Sequence, residues 1–352
     1  MDYKQKLEEF ILSVIHESGS DLHLGVSRVP AIRVSGELIF LLKNEVLTKE
    51  DMLGFLSQVL DKKKIDKFME DQEIDFSYDF QGETRLRGNA FFSKGLINMA
   101  LRLVPKVKTL DELHLPPIIA DMTRKKQGFF LVVGPVGQGK STTLSAMVNL
   151  INNEQARNVV TIEDPIEYVY VPNKSIISQR EVGIDTKDFN SALKSVFRQD
   201  VNVIMIGEMR TPENIATAVT AAETGHLVLS TLHTNNAAQT IDRIIDAFPG
   251  NQQDQIRSQL ASSLIGVFSQ RLIPRVAGGL IPAYELLLNN NAVSNLIREK
   301  RTHEINVVIE TGTESGMVDL NHSLLELVRT GEISLESAYQ YSMNPQALQK
   351  ML

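Results

Sequence analysis

The chain is predicted to be an α/β protein of two domains, a small α+β module followed by a parallel-sheet domain built around a phosphate-binding loop. Three observations carry that prediction. From residue 118 onward, apolar runs at 129–133, 159–162, 203–206 and 227–230 alternate with helical patterns at 140–151, 188–199 and 212–223. That rhythm belongs to a parallel sheet covered on both faces. The first of these runs breaks into a glycine-rich loop, GPVGQGKST, at 134–142. The first hundred residues show a different order, helix, short strands, helix and further strands, which adds up to a separate module.

Gly134, Gly139, Lys140 and Ser141 fill the fixed positions of G-x-x-x-x-G-K-[ST]. In that pattern the backbone N–H groups wrap a nucleotide's phosphates, the lysine reaches the β- and γ-phosphates, and the serine hydroxyl binds magnesium. Glycines let the backbone approach an anion with no Cβ in the way, and the helix that follows points its positive end at the phosphates. The competing reading is a tight strand–turn–helix corner that needs glycine for its shape alone.

In the first module, Leu7, Phe10, Ile11, Val14 and Ile15 form one apolar stripe on a helix at 3–16. Strands follow at 21–24, 31–34 and 37–41, with Gly36 turning between the last two; a helix at 47–60 is opened by Thr48. Strands at 74–80 and 84–92 complete the module. The stretch VPKVKTLDELHLPP, with prolines at both ends and a charged middle, reads as a linker. The expected division is thus a first domain at 1–103, a linker at 104–117 and a second domain at 118–352, with the first movable against the second.

Polar groups stand at the C-terminal end of each apolar run: the phosphate loop, then Glu163-Asp164, then Glu208, then Thr231-Leu232-His233. Open α/β sheets bind ligands at those ends. Glu163 and Glu208 are each placed to hold magnesium through water or to orient an attacking water, unless they are solvated loop acids. His226 and His233 offer imidazoles that can donate to a γ-phosphate, with a capping or core histidine as the alternative for His226. Arg85, Arg87 and Arg102 are candidates to neutralise transition-state charge from across an interface; otherwise they are ordinary solvated strand arginines.

Composition narrows the classes. Hydrophobic residues make up 43% and charged ones 22% of 352, the balance of a globular protein, and no apolar run approaches the ~20 residues of a membrane span. The opening MDYKQKLEEF lacks the apolar core of a signal peptide and cysteine is absent, so a cytoplasmic protein is expected. Zero cysteine excludes disulfides and cysteine-ligated metals, and a net charge of −7 disfavours nucleic acid as the main partner.

The sequence resembles the type IV pilus retraction ATPases of the PilT group, within the hexameric motors of the secretion superfamily. The likeness runs through SDLHL, VVGPVGQGKSTT, TIEDPIEY, QREVGIDTKDF, RQDVNVIMIGEMR, AAETGHLVLSTLHTN and RIIDAFP, in order over nearly the whole chain. It implies a PAS-like N-terminal α+β domain and a RecA-like P-loop ATPase domain with a helical C-terminal part. It makes Gly134, Pro135, Val136, Gly137, Gln138, Gly139, Lys140, Ser141 and Thr142 the Walker A loop. Glu163 with Asp164 becomes the aspartate box, Glu208 the Walker B acid, and His226 with His233 the histidine box. ATP and Mg2+, a homohexamer, an inner-membrane platform protein and, indirectly, the pilin fibre are the implied cofactors and partners, with the ring lying at the cytoplasmic face of the inner membrane. The chain departs from the family at Val201-Asn202, where proline–aspartate is usual, at Val136 and Gln138 in the loop, and at Ser294, where AVSNLIRE replaces an arginine.

Of the functions this leaves, a retraction motor leads, as the main or the accessory, PilU-type, ATPase. An extension or secretion ATPase of the superfamily usually carries a further N-terminal domain and a tetracysteine zinc site, and this chain has no cysteine. A nucleotide switch without turnover would not need both acids and both histidines. A DNA-translocating motor is disfavoured by the acidic charge.

Overall fold

A computed structural model of the chain describes residues 2–34, 36–81, 84–209 and 211–351. Arg210, which ends the RQDVNVIMIGEMR motif, lies outside the described residues. The chain divides into two compact units, Met1–Lys106 and Val107–Leu352.

In the first unit, α1 (Tyr3–His16) begins where Asp2 accepts from the Lys4 and Gln5 amides at 3.0 and 3.1 Å, and it buries Leu7, Phe10, Ile11 and Val14. Strands β1 (Asp21–Gly25), β2 (Ala31–Val34) and β3 (Glu37–Phe40) follow. Helix α2 (Lys49–Val59) is opened by a reciprocal capping box between Thr48 and Asp51. Next come α3 (Lys62–Asp71), β4 (Glu73–Phe80), β5 (Thr84–Ser93) and β6 (Leu96–Leu103). All pairings are antiparallel, in the order β3-β2-β1-β6-β5-β4. Two of these elements escape the sequence reading. Helix α3, KKKIDKFMED, has only Ile65, Phe68 and Met69 to make a stripe and buries Phe68 alone, too short a signal among its charges, and β6, LINMALRL, carries its apolar residues without strict alternation.

The second unit is organised on a seven-stranded sheet. Helix α4 (Ile118–Arg124), β7 (Gly128–Val133), α5 (Lys140–Glu154), β8 (Asn158–Glu163), β9 (Ile176–Glu181), α6 (Phe189–Val196), β10 (Val203–Ile206), α7 (Pro212–Glu223) and β11 (Leu227–Leu232) come first. They are followed by α8 (Ala237–Asp246), α9 (Gly250–Ser263), β12 (Leu264–Pro274) and β13 (Leu280–Leu288). The order is β13-β12-β7-β11-β10-β8-β9, parallel throughout except for β13. Strand β7 is buried along its length. Phe129, Leu131 and Val133 join the core on one face of the sheet, while Phe130 and Val132 join the core on the other. Five helices end the chain, α10 (Asn291–Arg298), α11 (Ile305–Thr311), α12 (Leu320–Arg329), α13 (Leu335–Tyr341) and α14 (Pro345–Met351). Leu320, Leu324, Ile333 and Leu348 pack with Ile273 and Ile281 of the β12–β13 hairpin into a core of their own.

The stretch 104–117 is not a free linker. Leu110 and Leu115 are buried with Ile119 and Phe130 in the second unit's core, and Thr109 and Glu112 exchange capping hydrogen bonds of 2.7 and 3.2 Å. The prolines and charges suggested an extended tether. The leucines between them bury enough apolar surface to dock the segment from Val107 onward, so the division falls between Lys106 and Val107. Among the described residues, no helix is long and apolar enough to cross a membrane.

Candidate active site

Strand β7 ends at Val133 and α5 begins at Lys140, so the glycine-rich loop is stretched between a fully buried strand and a helix N-terminus. Gly134, Gly137 and Gly139 have φ of 149°, 78° and 76°, conformations that side chains oppose. At Gly134 a Cβ would also stand 2.5 Å from the Gln270 carbonyl oxygen, so the position requires glycine on two counts. Beside the loop lies a cavity of about 480 Å³ lined by Gly137, Lys140, Ser141, Glu163, Glu208 and His233 among others.

Lys140 is 7% exposed. Its Nζ donates to the carbonyls of Gly134 and Pro135 at 2.9 and 2.8 Å and lies 3.2 Å from His233 Nδ1. Burial pushes the pKa of this ammonium down; Glu208 and Glu167 oppose the shift and Arg271 reinforces it. His233 Nε2 is 3.3 Å from Glu208 Oε1. Those two partners select one tautomer. An ammonium can only donate, so Nδ1 accepts from it and Nε2 carries the proton toward the carboxylate.

Glu163 ends β8 and Glu208 lies two residues beyond the neighbouring β10, and the two meet different surroundings. Glu163 is 6% exposed, and its Oε1 accepts from Thr161 Oγ1 at 2.6 Å and from Gln179 Nε2 at 3.3 Å. Burial raises its pKa above the usual 4.5, and those two donors hold the rise back. The Glu208 side chain, 28% exposed, stands in the open part of the cavity against His233.

His226 is not brought to this cavity. It precedes β11 and His233 follows it, so six strand residues, roughly 20 Å of strand, separate the two rings. There His226 Nδ1 lies 3.0 Å from the Ala221 carbonyl at the end of α7, and its ring meets Phe197 edge-on at 5.6 Å. The sequence spacing already contained this separation: seven residues across an apolar run place the two histidines at opposite edges of a sheet.

Arg85, Arg87 and Arg102 belong to the first unit, on β5 and β6. Arg87 and Arg102 stand opposite each other across the two strands, and Arg85 stands opposite Asp79 of β4. Arg102 Nε donates to the buried Asp21 Oδ1 at 2.7 Å while most of its side chain remains exposed.

Several partners escaped the sequence reading. Gln270 on β12 accepts from Thr143 Oγ1 at 2.7 Å and donates to the Gln138 carbonyl at 2.9 Å. The Gln138 side chain in turn accepts from the Leu272 amide at 2.7 Å, which gives this departure from the family's loop a structural role. Tyr168 OH and Thr142 Oγ1 are 2.8 Å apart. Ser294, another departure, donates from α10 to the Ala261 carbonyl at 2.8 Å and to Asn289 Oδ1 at 3.1 Å. Nothing local in the sequence marks Gln270, because its role arises only when β12 is inserted beside β7, more than a hundred residues away.

The profile of the type II/IV secretion system protein family matches residues 107–282. Over 341 residues the chain is 39% identical to the type IV pilus retraction ATPase PilT of Pseudomonas aeruginosa, covering 97% of this chain and 99% of that one. It is 42% identical over 321 residues to a twitching motility protein of Neisseria gonorrhoeae, covering 91% and 86%. The crystal structure of the pilus retraction motor PilT with bound ADP superposes with a TM-score of 0.90 at 42% identity, covering 98% and 99% of the two chains. The phosphate loop, the two strand-end carboxylates and the imidazole between lysine and acid therefore sit in a chain that belongs to the type II/IV secretion system protein family, in its PilT group of pilus retraction ATPases.

Proposed function

We propose that the chain is one subunit of a hexameric ring that hydrolyses ATP in this cavity and transmits the work to a pilus platform protein at the cytoplasmic face of the inner membrane, so that pilin subunits leave the fibre base. The observation that carries this reading is the linked set Lys140–His233–Glu208, each contact at 3.3 Å or less, above a glycine loop shaped for phosphate. ATP entering the loop replaces carbonyl and imidazole partners of Lys140 with phosphate oxygens. His233, released by Lys140, is then free to turn its Nε2–H from Glu208 to a γ-phosphate oxygen, so that one ring answers to both. Water attacks the γ-phosphorus, the bond to the bridging oxygen breaks, and ADP and phosphate are formed.

Glu208, open to the cavity, orients the water. Glu163, buried and holding its proton more tightly than an exposed acid, has the basicity to accept the water's proton. Ser141, Glu163 and Glu208 line one cavity, yet among the described residues no group of three or more acidic or histidine side chains is arranged to hold a metal. That fits magnesium, which binds at such sites through one or two protein oxygens together with water and substrate phosphates. When bound, the ion neutralises charge on the β- and γ-phosphates. Arg85, Arg87 and Arg102 supply further positive charge to the γ-phosphate from the first unit, of the same or a neighbouring subunit.

The test is one purification, with ATPase rate and mass measured together in the presence and absence of magnesium and nucleotide. A hexamer with magnesium-dependent turnover is the expected outcome. Tight ATP binding with no turnover in a verified hexamer would turn the protein into a switch, and a monomer with full turnover would remove the ring.

A further inference from the structure

The segment that follows His233 is held by residues that do not line the cavity. Asn235 lies two residues beyond His233, and its carbonyl accepts from Ser269 Oγ at 2.9 Å and from Arg271 Nη2 at 3.1 Å. The same Arg271 nitrogen donates to Asn235 Oδ1 at 3.1 Å. At Ala237, the first residue of α8, the backbone amide donates to Glu285 Oε1 at 2.7 Å. Glu285 is 7% exposed and stands opposite Ser269 across the β12–β13 pair.

The phosphate loop rests on the same place. Arg271 Nη1 donates to the Gln270 carbonyl at 3.2 Å, the oxygen against which Gly134 is packed, and the Gln270 side chain holds Gln138 and Thr143. Residues 269–271 of β12 thus brace both the loop that grips the phosphates and the segment that carries His233. Arg271 does not line the cavity, although it is close enough to Lys140 to lower the pKa of that ammonium. Its guanidinium presents a fixed fork of donors, suited to pinning a carbonyl and an amide oxygen of one residue.

We propose that Arg271 and Glu285 are positioning residues for ATP hydrolysis: they clamp 235–237 to β12 and β13 and so set where the His233 imidazole stands over the phosphate loop. Glu285 extends the clamp toward the C-terminal helices, because it lines a second cavity of about 490 Å³ with Asp319, His322 and Asn344. A change in the packing of those helices can therefore reach His233 through one carboxylate and one amide. This inference rests on His233 acting at the γ-phosphate.

A double-mutant cycle on the full chain tests it, with kcat and KM for ATP measured for Arg271→Gln, His233→Ala and the pair. If Arg271 works through His233, Arg271→Gln lowers kcat about tenfold with KM changed less than about threefold, and in the His233→Ala background the same change costs less than about twofold. An undiminished loss in that background, or wild-type kcat in Arg271→Gln, overturns the proposal. Wild-type turnover in His233→Ala overturns instead the role of the histidine. Asn235→Ala, at an exposed position, removes the Oδ1 acceptor of Arg271 while leaving the backbone carbonyl contacts, and runs through the same cycle with a smaller loss expected in the same direction, so a folding failure of Arg271→Gln does not block the test. For Glu285 the comparison is with rescue. Glu285→Ala should lose turnover, and Glu285→Gln, which keeps an acceptor for the Ala237 amide, should regain most of it; equal losses in the two variants would remove Glu285 from the clamp.

Discussion

The two ends of the parallel sheet are made by the same strands and have opposite characters. At the C-terminal end, β7 delivers Lys140, β8 Glu163, β10 leads to Glu208 and β11 leads to His233, and the groups converge on one cavity. At the N-terminal end the same strands start from Asn158, Asn202 and His226, whose polar atoms are consumed by backbone. Asn158 donates to the Gln199 and Asp200 carbonyls at 2.8 and 3.0 Å, Asn202 Oδ1 accepts from the Asn158 amide at 2.9 Å, and His226 pairs with Ala221. One end closes loops and the other keeps its side chains available. The difference comes from the helix termini: on the C-terminal side the chain leaves β7, β10 and β11 toward a helix N-terminus, where N–H groups lack partners and an anion satisfies them.

The largest expected effect is at Lys140. Lys140→Ala should leave the fold intact, because the ammonium bonds only loop carbonyls and an imidazole, and should lower ATP turnover by more than about a hundredfold. Wild-type turnover in a folded Lys140→Ala protein would mean that the reactive end of the sheet has been misidentified.

The two carboxylates come next. Glu208→Gln should lower kcat by orders of magnitude with ATP affinity little changed, since the role proposed for the acid is on water rather than on base or ribose. Glu163→Gln should behave similarly and also change the pH profile. Burial raises the Glu163 pKa, so its proton is retained above the usual 4.5, and a reaction needing the carboxylate loses rate as pH falls through the raised value. That acid limb should be present in the wild type and in Glu208→Gln, and absent from the residual activity of Glu163→Gln. Its survival in Glu163→Gln would move the base to another group.

What the sequence shows of all this depends on range. The phosphate loop, the alternation of runs and helices, and the strand-end acids are legible because each is encoded within ten or fifteen residues, by period and by the special backbone needs of glycine. Strand β9, IISQRE, is half exposed at the sheet edge, so no apolar run announces it, and Gln179 on it goes unnoticed as a partner of Glu163. Gln270 and Arg271 lie on a strand whose neighbour β7 is far away in sequence, and only that pairing turns them into supports of the loop. His226 shows the converse: a histidine that looks equivalent to His233 in the chain is separated from it by the strand between them.

A smaller effect is expected from the first unit. Arg85→Ala, Arg87→Ala and Arg102→Ala should each be measured for kcat, and the variant with the largest loss mixed with Glu208→Gln. If the arginine acts on a neighbouring subunit's phosphate, mixed rings regain part of the wild-type rate, since some sites receive an intact half from each parent. No loss in any of the three would confine the chemistry to the C-terminal end of the sheet in the second unit.

The smallest effect should be at His226, and it tests the contrast between the two ends most directly. His226→Ala removes one hydrogen bond to the Ala221 carbonyl and an edge-on contact with Phe197, and the buried carbonyl keeps its bonds from the residue 226 amide and Thr224 Oγ1. The loss should be about 1 kcal/mol of stability, seen as a fall in Tm, with kcat per folded chain lowered less than about threefold. His233→Ala should show the reverse, because its ring contacts Lys140 and Glu208 in the cavity while its own side chain is 40% exposed and contributes little packing. If His226→Ala lost turnover as steeply as His233→Ala with no change in Tm, the N-terminal end of the sheet would take part in the chemistry. Since roughly 20 Å of strand lies between that ring and its own cavity, it would have to act through something other than its own subunit's phosphate.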